Sequence, residues 1–391
     1  MFLMAMARKA SQTQSKLAMV LYGEEGTGKS SLALQLAYFK RPDGKPFKVL
    51  YIDNENGSVD DFIDRLIDDG IDPSNVYIVY TQSLGETEQY INKVKNNEDF
   101  YELDEDGEET DEVVLDSEGN PFRADAIVVD GTSILKLSTQ QGLIDFSKMR
   151  NAVKATKDGL VGAERSVKVD GAGMELRDFN TLNFKGQNMV LDLMACGAHF
   201  IITARETDEK VTKKDKDGNP VSVATGKKIP DSFKGMAYNV KTVIRMFKDE
   251  DGNYCADISK DRTGVHNNEI VEDLSLLDWQ SIIDKNKDKT SFVVKNALNQ
   301  AVETETEIHK QEIEKTIEKT VGTTEVASES SSNTADLVSQ INTKMKSFSV
   351  TDKAKAKKAL EEKGLPATPK AIKAEASEDI LNQVLDIISK I

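Results

Sequence analysis

The chain has 391 residues and a formal net charge of −16, which excludes a protein that coats nucleic acid through a uniformly basic surface. Its length suits roughly two or three domains. Cys196 and Cys255 lie far apart and lack metal-ligand spacing, which indicates buried thiols in a reducing compartment. Because no apolar run is long enough to span a bilayer, we expect a soluble, cytoplasmic protein without membrane contact.

The segment 17–37 is typical of a strand, a glycine-rich loop and a helix, and its loop fits the pattern G-x-x-x-x-G-K-[ST] without a mismatch. Its glycines permit a tight turn whose N–H groups face phosphate oxygens, and the helix adds its positive end. Lys29 is predicted to reach the β- and γ-phosphates of a nucleoside triphosphate, and Ser30 to hold Mg²⁺. A chance match in a surface loop is the alternative, but the flanking segments favour a nucleotide site. The predicted nucleotide contacts are Gly23, Glu24, Glu25, Gly26, Thr27, Gly28, Lys29, Ser30 and Ser31.

A second predicted strand, over 47–52, ends in acidic residues. Asp53 and Glu55 are two positions apart, so in an extended chain both point the same way. Because parallel α/β sheets bind ligands at the carboxyl ends of their strands, Glu55 is predicted to orient and deprotonate a hydrolytic water. A solvated turn or a helix N-cap is the alternative.

An acidic insertion is predicted over 97–123, after a helix at 60–69, a strand at 76–80 and a helix at 86–94. Residues 97–116 contain many Asp and Glu and no Lys or Arg. Such a run is normally solvated. The segments 113–115 and 121–122, on either side of 117–120, predict a small hairpin. We expect no chemistry there.

A buried-type strand at 127–129 ends in Asp130. Downstream of a phosphate loop, an aspartate at this place is predicted to hold the Mg²⁺ shell, through a water molecule. Alone the signal is weak, because many buried strands end in aspartate.

Long irregular segments are predicted within 134–178 and 206–230, on either side of a helix at 177–195 and a strand at 198–206. Segments of this kind are usually functional or disordered. Thr203 and Arg205, at the strand end, are candidate sensors of the γ-phosphate, with a simple strand cap as the alternative. The second segment contains several lysines with acidic residues interleaved, so charge alone does not establish DNA binding.

A hairpin is predicted from 238–247 and 253–259, and it ends in Lys260 and Arg262. The two cations alternate on one face of a strand end. They are candidates to stabilise transition-state charge on the nucleotide of a neighbouring subunit. An exposed basic edge is the alternative.

These motifs, in this order, make residues 1–290 resemble the RecA-like ATPase core, and more narrowly the phage-encoded RecA-core proteins of single-strand annealing and recombination. The order and spacing of the motifs make the match specific, whereas a phosphate loop alone occurs in many unrelated NTPases. The chain departs from the family pattern at Ala204 and Arg205, where recombinases usually carry glutamine and related phage proteins often histidine. The matching pieces are Gly23–Ser30, Ile52–Glu55, Ile127–Gly131, Phe200–Arg205 and Lys260–Gly264.

The resemblance implies an α/β fold with a mostly parallel central sheet, ATP and Mg²⁺ as cofactors, and a homo-oligomer with shared nucleotide sites. Glu55 looks like the water-activating glutamate and Asp130 like the metal aspartate. Lys260 and Arg262 resemble fingers that act across a subunit interface. The segments within 134–178 and 206–230 stand where the family binds single-stranded DNA.

The tail is predicted to contain a charged, Ser- and Thr-rich linker at 291–333 and a small all-α module at 334–391. Apolar residues at helical spacing predict helices over 334–348, 351–363 and 377–390. A single-strand-binding or replication protein is a candidate partner of this module. The lysines of its second helix are the observation that favours DNA binding instead.

The leading hypothesis is a single-stranded-DNA-dependent ATPase of recombination or annealing, encoded by a phage and acting in the host cytoplasm. One alternative is a replicative-helicase-like motor. The other is an ATP-switched adaptor that recruits partners through its C-terminal module.

Overall fold

The structure is a computed structural model and divides the chain into two units, 1–301 and 302–391. The predicted boundaries at 290 and 333 stay predictions, and most of the predicted linker 291–333 lies outside the described residues. The described residues are 9–10, 13–216, 218–287, 289, 296, 298, 301–302, 305–307, 310, 337–338, 340–341, 343–345, 348, 350–368, 372 and 377–390.

The first unit is built on strands with unbroken apolar runs. In β1, β2 and β6 every residue is buried, which is typical of parallel strands covered on both faces. The strands are β1 (Ala18–Gly23), β2 (Val49–Asp53), β3 (Val76–Tyr80), β4 (Tyr101–Leu103), β5 (Glu109–Val113), β6 (Ala126–Asp130), β7 (His199–Lys214), β8 (Pro220–Asp231), β9 (Thr242–Lys248), β10 (Tyr254–Asp261) and β11 (Ile270–Glu272).

Helices cover both faces of the sheet. They are α1 (Lys29–Leu34), α2 (Asp60–Asp68), α3 (Leu84–Asn96), α4 (Thr132–Lys157), α5 (Gly162–Asp170), α6 (Leu176–Ala195), α7 (Met236–Asn239) and α8 (Gln280–Asp284). Short 3₁₀ turns at Gln35–Tyr38, Pro73–Asn75 and Leu276–Trp279 complete the unit.

The strand order of the main sheet is β11-β10-β9-β1-β7-β6-β2-β3, with β8 paired to β7. All neighbours from β3 to β9 are parallel, whereas β10, β11 and β8 are antiparallel additions. This confirms the predicted α/β class with a mostly parallel, RecA-like sheet.

The register brings the carboxyl ends of four parallel strands to one edge. Gly23 of β1 lies opposite Arg205 of β7, and Asp53 of β2 lies opposite Asp130 of β6. The neighbours of β1 come from far along the chain, so this edge is a topological switch point, where open α/β sheets bind ligands.

The core has two layers because alternate strand residues face opposite sides of the sheet. Val20 packs with α3, α4 and α6 on one side, whereas Met19 and Leu21 pack with α1, α2 and α8 on the other. The chain's single tryptophan, Trp279, is fully buried in the second layer.

The acidic insertion is only partly solvated. Many of its charged residues lie on β4, on β5 or between them, but Phe100, Val114 and Phe122 are buried in the main core. Lys48, from the core, forms an ion pair with the buried Asp116. The predicted small hairpin is present as a bridge between Leu115 and Pro121.

Both segments predicted to be irregular are regular in the structure. Within 134–178 the chain forms α4, which is 26 residues long, then α5 and the start of α6. Within 206–230 it forms a two-stranded β-ribbon of β7 and β8, paired from Arg205–Asp231 to Lys214–Pro220. The prediction of irregular loops was therefore wrong at both places.

A close approach between α6 and the segment after β8 makes one glycine indispensable. A Cβ atom at Gly186 would lie 2.0 Å from Cγ of Phe233, which is buried. We expect Gly186→Ala to lower the free energy of unfolding by about 1–3 kcal/mol, measured by urea denaturation. The matched control is Gly142→Ala in α4, where an added Cβ atom meets nothing within 4 Å. This substitution should raise the free energy of unfolding by about 0.5–1 kcal/mol. Equal effects of the two changes would contradict the close contact.

The second unit has its own hydrophobic cluster, which includes Leu360, Leu381 and Val384. It contains α9 (Val350–Glu362) and α10 (Glu378–Ser389), and Ser377 caps α10. These agree with the second and third predicted helices, while much of the first lies outside the described residues. In the described part of the chain, no helix has both the length and the apolarity needed to cross a membrane.

Candidate nucleotide-binding site

The phosphate loop is tight because its three glycines lie where a side chain would be strained or would clash. Gly26 and Gly28 have φ of 68° and 85°, in the left-handed region that favours glycine. A Cβ atom at Gly23 would lie 2.0 Å from the carbonyl oxygen of Met246. The loop is closed by Thr27, whose hydroxyl donates to the Glu24 carbonyl at 2.8 Å. The predicted loop is therefore a preformed cradle at the start of α1.

Lys29 lies inside this cradle. Its ammonium donates to the Glu24 carbonyl at 2.6 Å. Burial lowers the pKa of Lys29, and the carboxylates of Glu55 and Asp130 act in the opposite direction. A cation held in a partly desolvated position beside a concave loop is suited to a phosphate group.

Asp130 is buried and surrounded by hydroxyl groups. It accepts hydrogen bonds from Tyr51 at 2.7 Å, from Ser58 at 2.6 Å and from Thr203. Burial, and then the Asp130 charge, raises the pKa of Tyr51 well above its usual range, so Tyr51 stays a donor. The hydroxyl of Ser30 also interacts with Tyr51, which links the loop to Asp130.

The oxygens of Ser30 and Asp130 form a donor set that suits Mg²⁺. Because hydroxyls already occupy both carboxylate oxygens of Asp130, contact through water fits this side chain better than direct coordination. Thr203, predicted as a possible sensor, is buried against the end of β6. It donates to Asp130 and accepts from the Gly131 amide at 2.8 Å.

Asp53 and Glu55 do not share a role. Asp53 is fully buried and accepts from the amides of Glu55, Gly57 and Ser58, each at 2.8 Å, so it fixes the loop after β2. Glu55, in contrast, reaches the cavity. A Cβ at Gly131 would lie 2.5 Å from Cγ of Glu55, so the absence of a side chain at Gly131 makes room for this glutamate.

Arg205 points at Glu55. Its Nε and Nη2 atoms each lie 3.1 Å from the same carboxylate oxygen, Oε1. The side chain of Arg205 therefore reaches the cavity, as a phosphate sensor requires, but its partner in the structure is the candidate catalytic carboxylate.

Several cavity residues were not predicted from the sequence. The side chain of Glu206 is 3% exposed and pairs with Arg245 at 2.8 Å and with Lys228 at 3.7 Å. Ser58 and Lys228 also line the cavity. The only sequence signal for Glu206 was its place directly after Arg205, and Lys228 lay in the segment considered irregular.

The loop and these side chains enclose a cavity of about 510 Å³. A second cavity of about 290 Å³ adjoins it and shares the side chains of Ser31 and Phe62. The first is lined by Gly23, Glu24, Glu25, Gly26, Gly28, Lys29, Ser30, Ser31, Glu55, Ser58, Phe62, Arg205, Glu206 and Lys228.

Lys260 and Arg262 differ in their surroundings. The Lys260 ammonium donates to the carbonyls of Ala237, Tyr238 and Val240 at 2.9, 3.2 and 2.6 Å, and burial lowers its pKa. Lys260 therefore has a task within its own chain, which the sequence did not predict. Arg262 is exposed, and its guanidinium makes no hydrogen bond or ion pair with any residue that the structure describes.

The backbone next to Arg262 is anchored to the core. Asp261 accepts hydrogen bonds from the amide and hydroxyl of Thr263 at 2.8 and 2.7 Å. The indole N–H of Trp279 donates to the same hydroxyl at 3.0 Å. Arg262 is thus a cation without a partner among the described residues, on a firmly held segment.

Comparisons with known proteins do not assign the chain to a family. No protein-family model matches the chain, and no curated protein does. The solved structures that it resembles include a KaiC-like protein from the hyperthermophilic archaeon Pyrococcus horikoshii OT3. The two share 15% identity at a TM-score of 0.35, over 66% of this chain and 86% of the other. The fold assignment rests on the strand order of the sheet and not on this likeness.

Proposed function

We propose that the chain is a Mg²⁺- and ATP-dependent ATPase of RecA type that acts on single-stranded DNA in recombination or annealing, and that it is phage-encoded. The observation that carries the ATPase is that Lys29 and Glu55 line one cavity at the carboxyl edge of the sheet. Asp130 is buried beside it, bonded to the cavity residue Ser58 and close enough for its charge to act on Lys29. The adjoining cavity beside Phe62 offers space for the nucleobase.

The positions of the site residues suggest a role for each. The loop amides and Lys29 would bind the phosphates, and Ser30 with Asp130 would hold Mg²⁺, which supplies charge neutralisation at the phosphates. Glu55 would orient the attacking water and accept its proton. Arg262 of a neighbouring subunit would stabilise the developing charge, which makes the active form a homo-oligomer.

The β-ribbon β7–β8 favours nucleic acid as the effector. Between 210 and 227 it has two aspartates and five lysines, which are Lys210, Lys213, Lys214, Lys216 and Lys227. The five lysines are exposed, whereas the base of the ribbon, with Arg205 and Lys228, lines the nucleotide cavity. Binding along the lysine-rich outer part of the ribbon would therefore be transmitted directly to the site.

The arm formed by α4, α5 and the start of α6 supports the same function. Phe146, Phe179 and Phe184 are between 41% and 54% exposed, and the Arg150 guanidinium lies 5.1 Å from the ring centre of Phe146. Exposed aromatic rings, one of them beside an arginine, suit single strands, because unpaired bases stack on them.

The test is the steady-state rate of ATP hydrolysis with and without single-stranded DNA. We expect hydrolysis that depends on Mg²⁺ and is stimulated by the DNA. Absence of hydrolysis would overturn the ATPase. Hydrolysis without stimulation, and without a DNA mobility shift at low salt, would overturn the DNA role. Directional strand displacement would favour the helicase-like alternative.

The adaptor alternative is favoured by one observation, the separate hydrophobic cluster of residues 302–391. We propose that this unit recruits a single-strand-binding or replication protein. Deletion of residues 334–391 should then abolish capture of that partner and leave DNA-stimulated hydrolysis intact.

A further inference from the structure

The contact between Arg205 and Glu55 occupies the carboxylate that hydrolysis requires. Two nitrogens of the guanidinium converge on a single oxygen, at 3.1 Å each. A glutamate that accepts one charge-assisted hydrogen bond and pairs with a second guanidinium nitrogen is turned toward the arginine and is a poorer acceptor for a proton of water.

The contact is also easy to break. The side chain of Arg205 is 59% exposed and that of Glu55 is 29% exposed. Ion pairs in such surroundings contribute little free energy, because water solvates the separated charges. A modest displacement of either partner is enough to separate them.

Arg205 lies where the phosphate loop and the base of the ribbon meet. Its backbone pairs with Gly23 on one side and with Asp231 on the other. The hydroxyl of Ser133 accepts from the Arg205 amide at 2.9 Å and donates to the Asp231 carbonyl at 2.6 Å. Lys136 pairs with the Asp231 carboxylate at 2.6 Å. A shift of the ribbon is therefore transmitted to Arg205 through its own strand.

We propose that Arg205 is a positioning residue that restrains Glu55 in the resting protein, and that single-stranded DNA on the ribbon releases it. The inference rests on the proposed ATPase and adds a regulatory step to it: hydrolysis is held low until the ribbon is engaged. It differs from a sensor role, in which Arg205 assists hydrolysis by contacting phosphate.

The experiment compares Arg205→Gln, Arg205→Lys and wild type with and without single-stranded DNA. For Arg205→Gln we expect the DNA-free kcat to rise about two- to five-fold, the range that a weak ion pair allows, with KM for ATP unchanged. Stimulation by DNA should shrink by the same factor. Because Arg205→Lys keeps the positive charge, its DNA-free kcat should lie between those of Arg205→Gln and wild type. The matched control is Arg41→Gln, which breaks the Arg41–Asp43 pair and should change nothing.

A double-mutant cycle with Glu55→Gln supplies a readout other than activity. In nucleotide-free protein, the shifts of the urea midpoint caused by Arg205→Gln and Glu55→Gln should be non-additive. Reduced or unchanged DNA-free hydrolysis in Arg205→Gln, or additive shifts, would overturn the restraint. Absence of hydrolysis in wild type, or a wild-type rate in Glu55→Gln, would instead overturn the proposed function, and the restraint with it.

Discussion

Lys29→Ala is expected to reduce ATP hydrolysis by at least about 10²-fold, the usual effect of removing one positioned donor from developing transition-state charge. The ammonium lies in a partly desolvated cradle, where its interaction with phosphate is stronger than in water. ATP binding should weaken as well, since the charge also faces the ground-state phosphates. Steady-state hydrolysis and calorimetric titration with ATP measure the two effects.

The matched control is Lys40→Ala, an exposed lysine on the same stretch of chain after the helical segment. It should leave both quantities unchanged. Because the Lys29 ammonium donates to the Glu24 carbonyl, the urea midpoint of Lys29→Ala must be compared with that of wild type. A folded variant that hydrolyses ATP at the wild-type rate would exclude the loop as the catalytic nucleotide site.

Arg262→Ala is expected to lose hydrolysis by about 10²- to 10³-fold while its stability and ATP affinity stay close to wild type. The side chain is exposed and unpartnered among the described residues, so it has nothing to support within its own chain. Mixing equal amounts of Arg262→Ala and Lys29→Ala subunits should restore about a quarter of the wild-type rate, if random assembly unites an intact loop with an intact finger at a heterologous interface.

Lys260→Ala is expected to differ from Arg262→Ala in its effect on stability. Its ammonium caps three carbonyls around the end of α7, so its loss should lower the free energy of unfolding by about 1–3 kcal/mol. A stability change in Lys260→Ala but not in Arg262→Ala would match the structure. Failure of the mixed subunits to recover, with both variants folded and assembled, would contradict a shared site.

The parts of the fold that were predictable have local determinants. The phosphate loop is contiguous, and β2 and β6 are buried at every position, so each leaves an unbroken apolar run in the sequence. Acidic residues directly after these strands then indicated the edge of the sheet where the site lies.

The long helix α4 left no comparable signal. Its buried residues are Thr132, Ser133, Leu135, Ser147 and Ala155, and most of them are polar or small. A helix that buries so little apolar surface lacks the stripe on which sequence periodicity depends. Strand β8 was missed for a related reason: its first eight residues are all exposed, so apolar and polar positions do not alternate.

The pairings inside the site could not be predicted because strand register creates them. Arg205 and Glu55 are 150 positions apart, and Glu206 meets Arg245 only because β7 and β9 flank β1. Lys260 and Arg262 were predicted to share one role, whereas their different surroundings depend on where the carbonyls at the end of α7 lie.

Trp279 is an internal fluorophore, and its hydrogen bond to Thr263 places it beside the segment that carries Arg262. The indole is the chain's single one, is fully buried, and bonds the residue next to Arg262. Its emission therefore comes from one known environment without any label. Excitation at the indole band follows the segment that carries Arg262, and a change in emission on adding ATP and DNA marks its movement in real time.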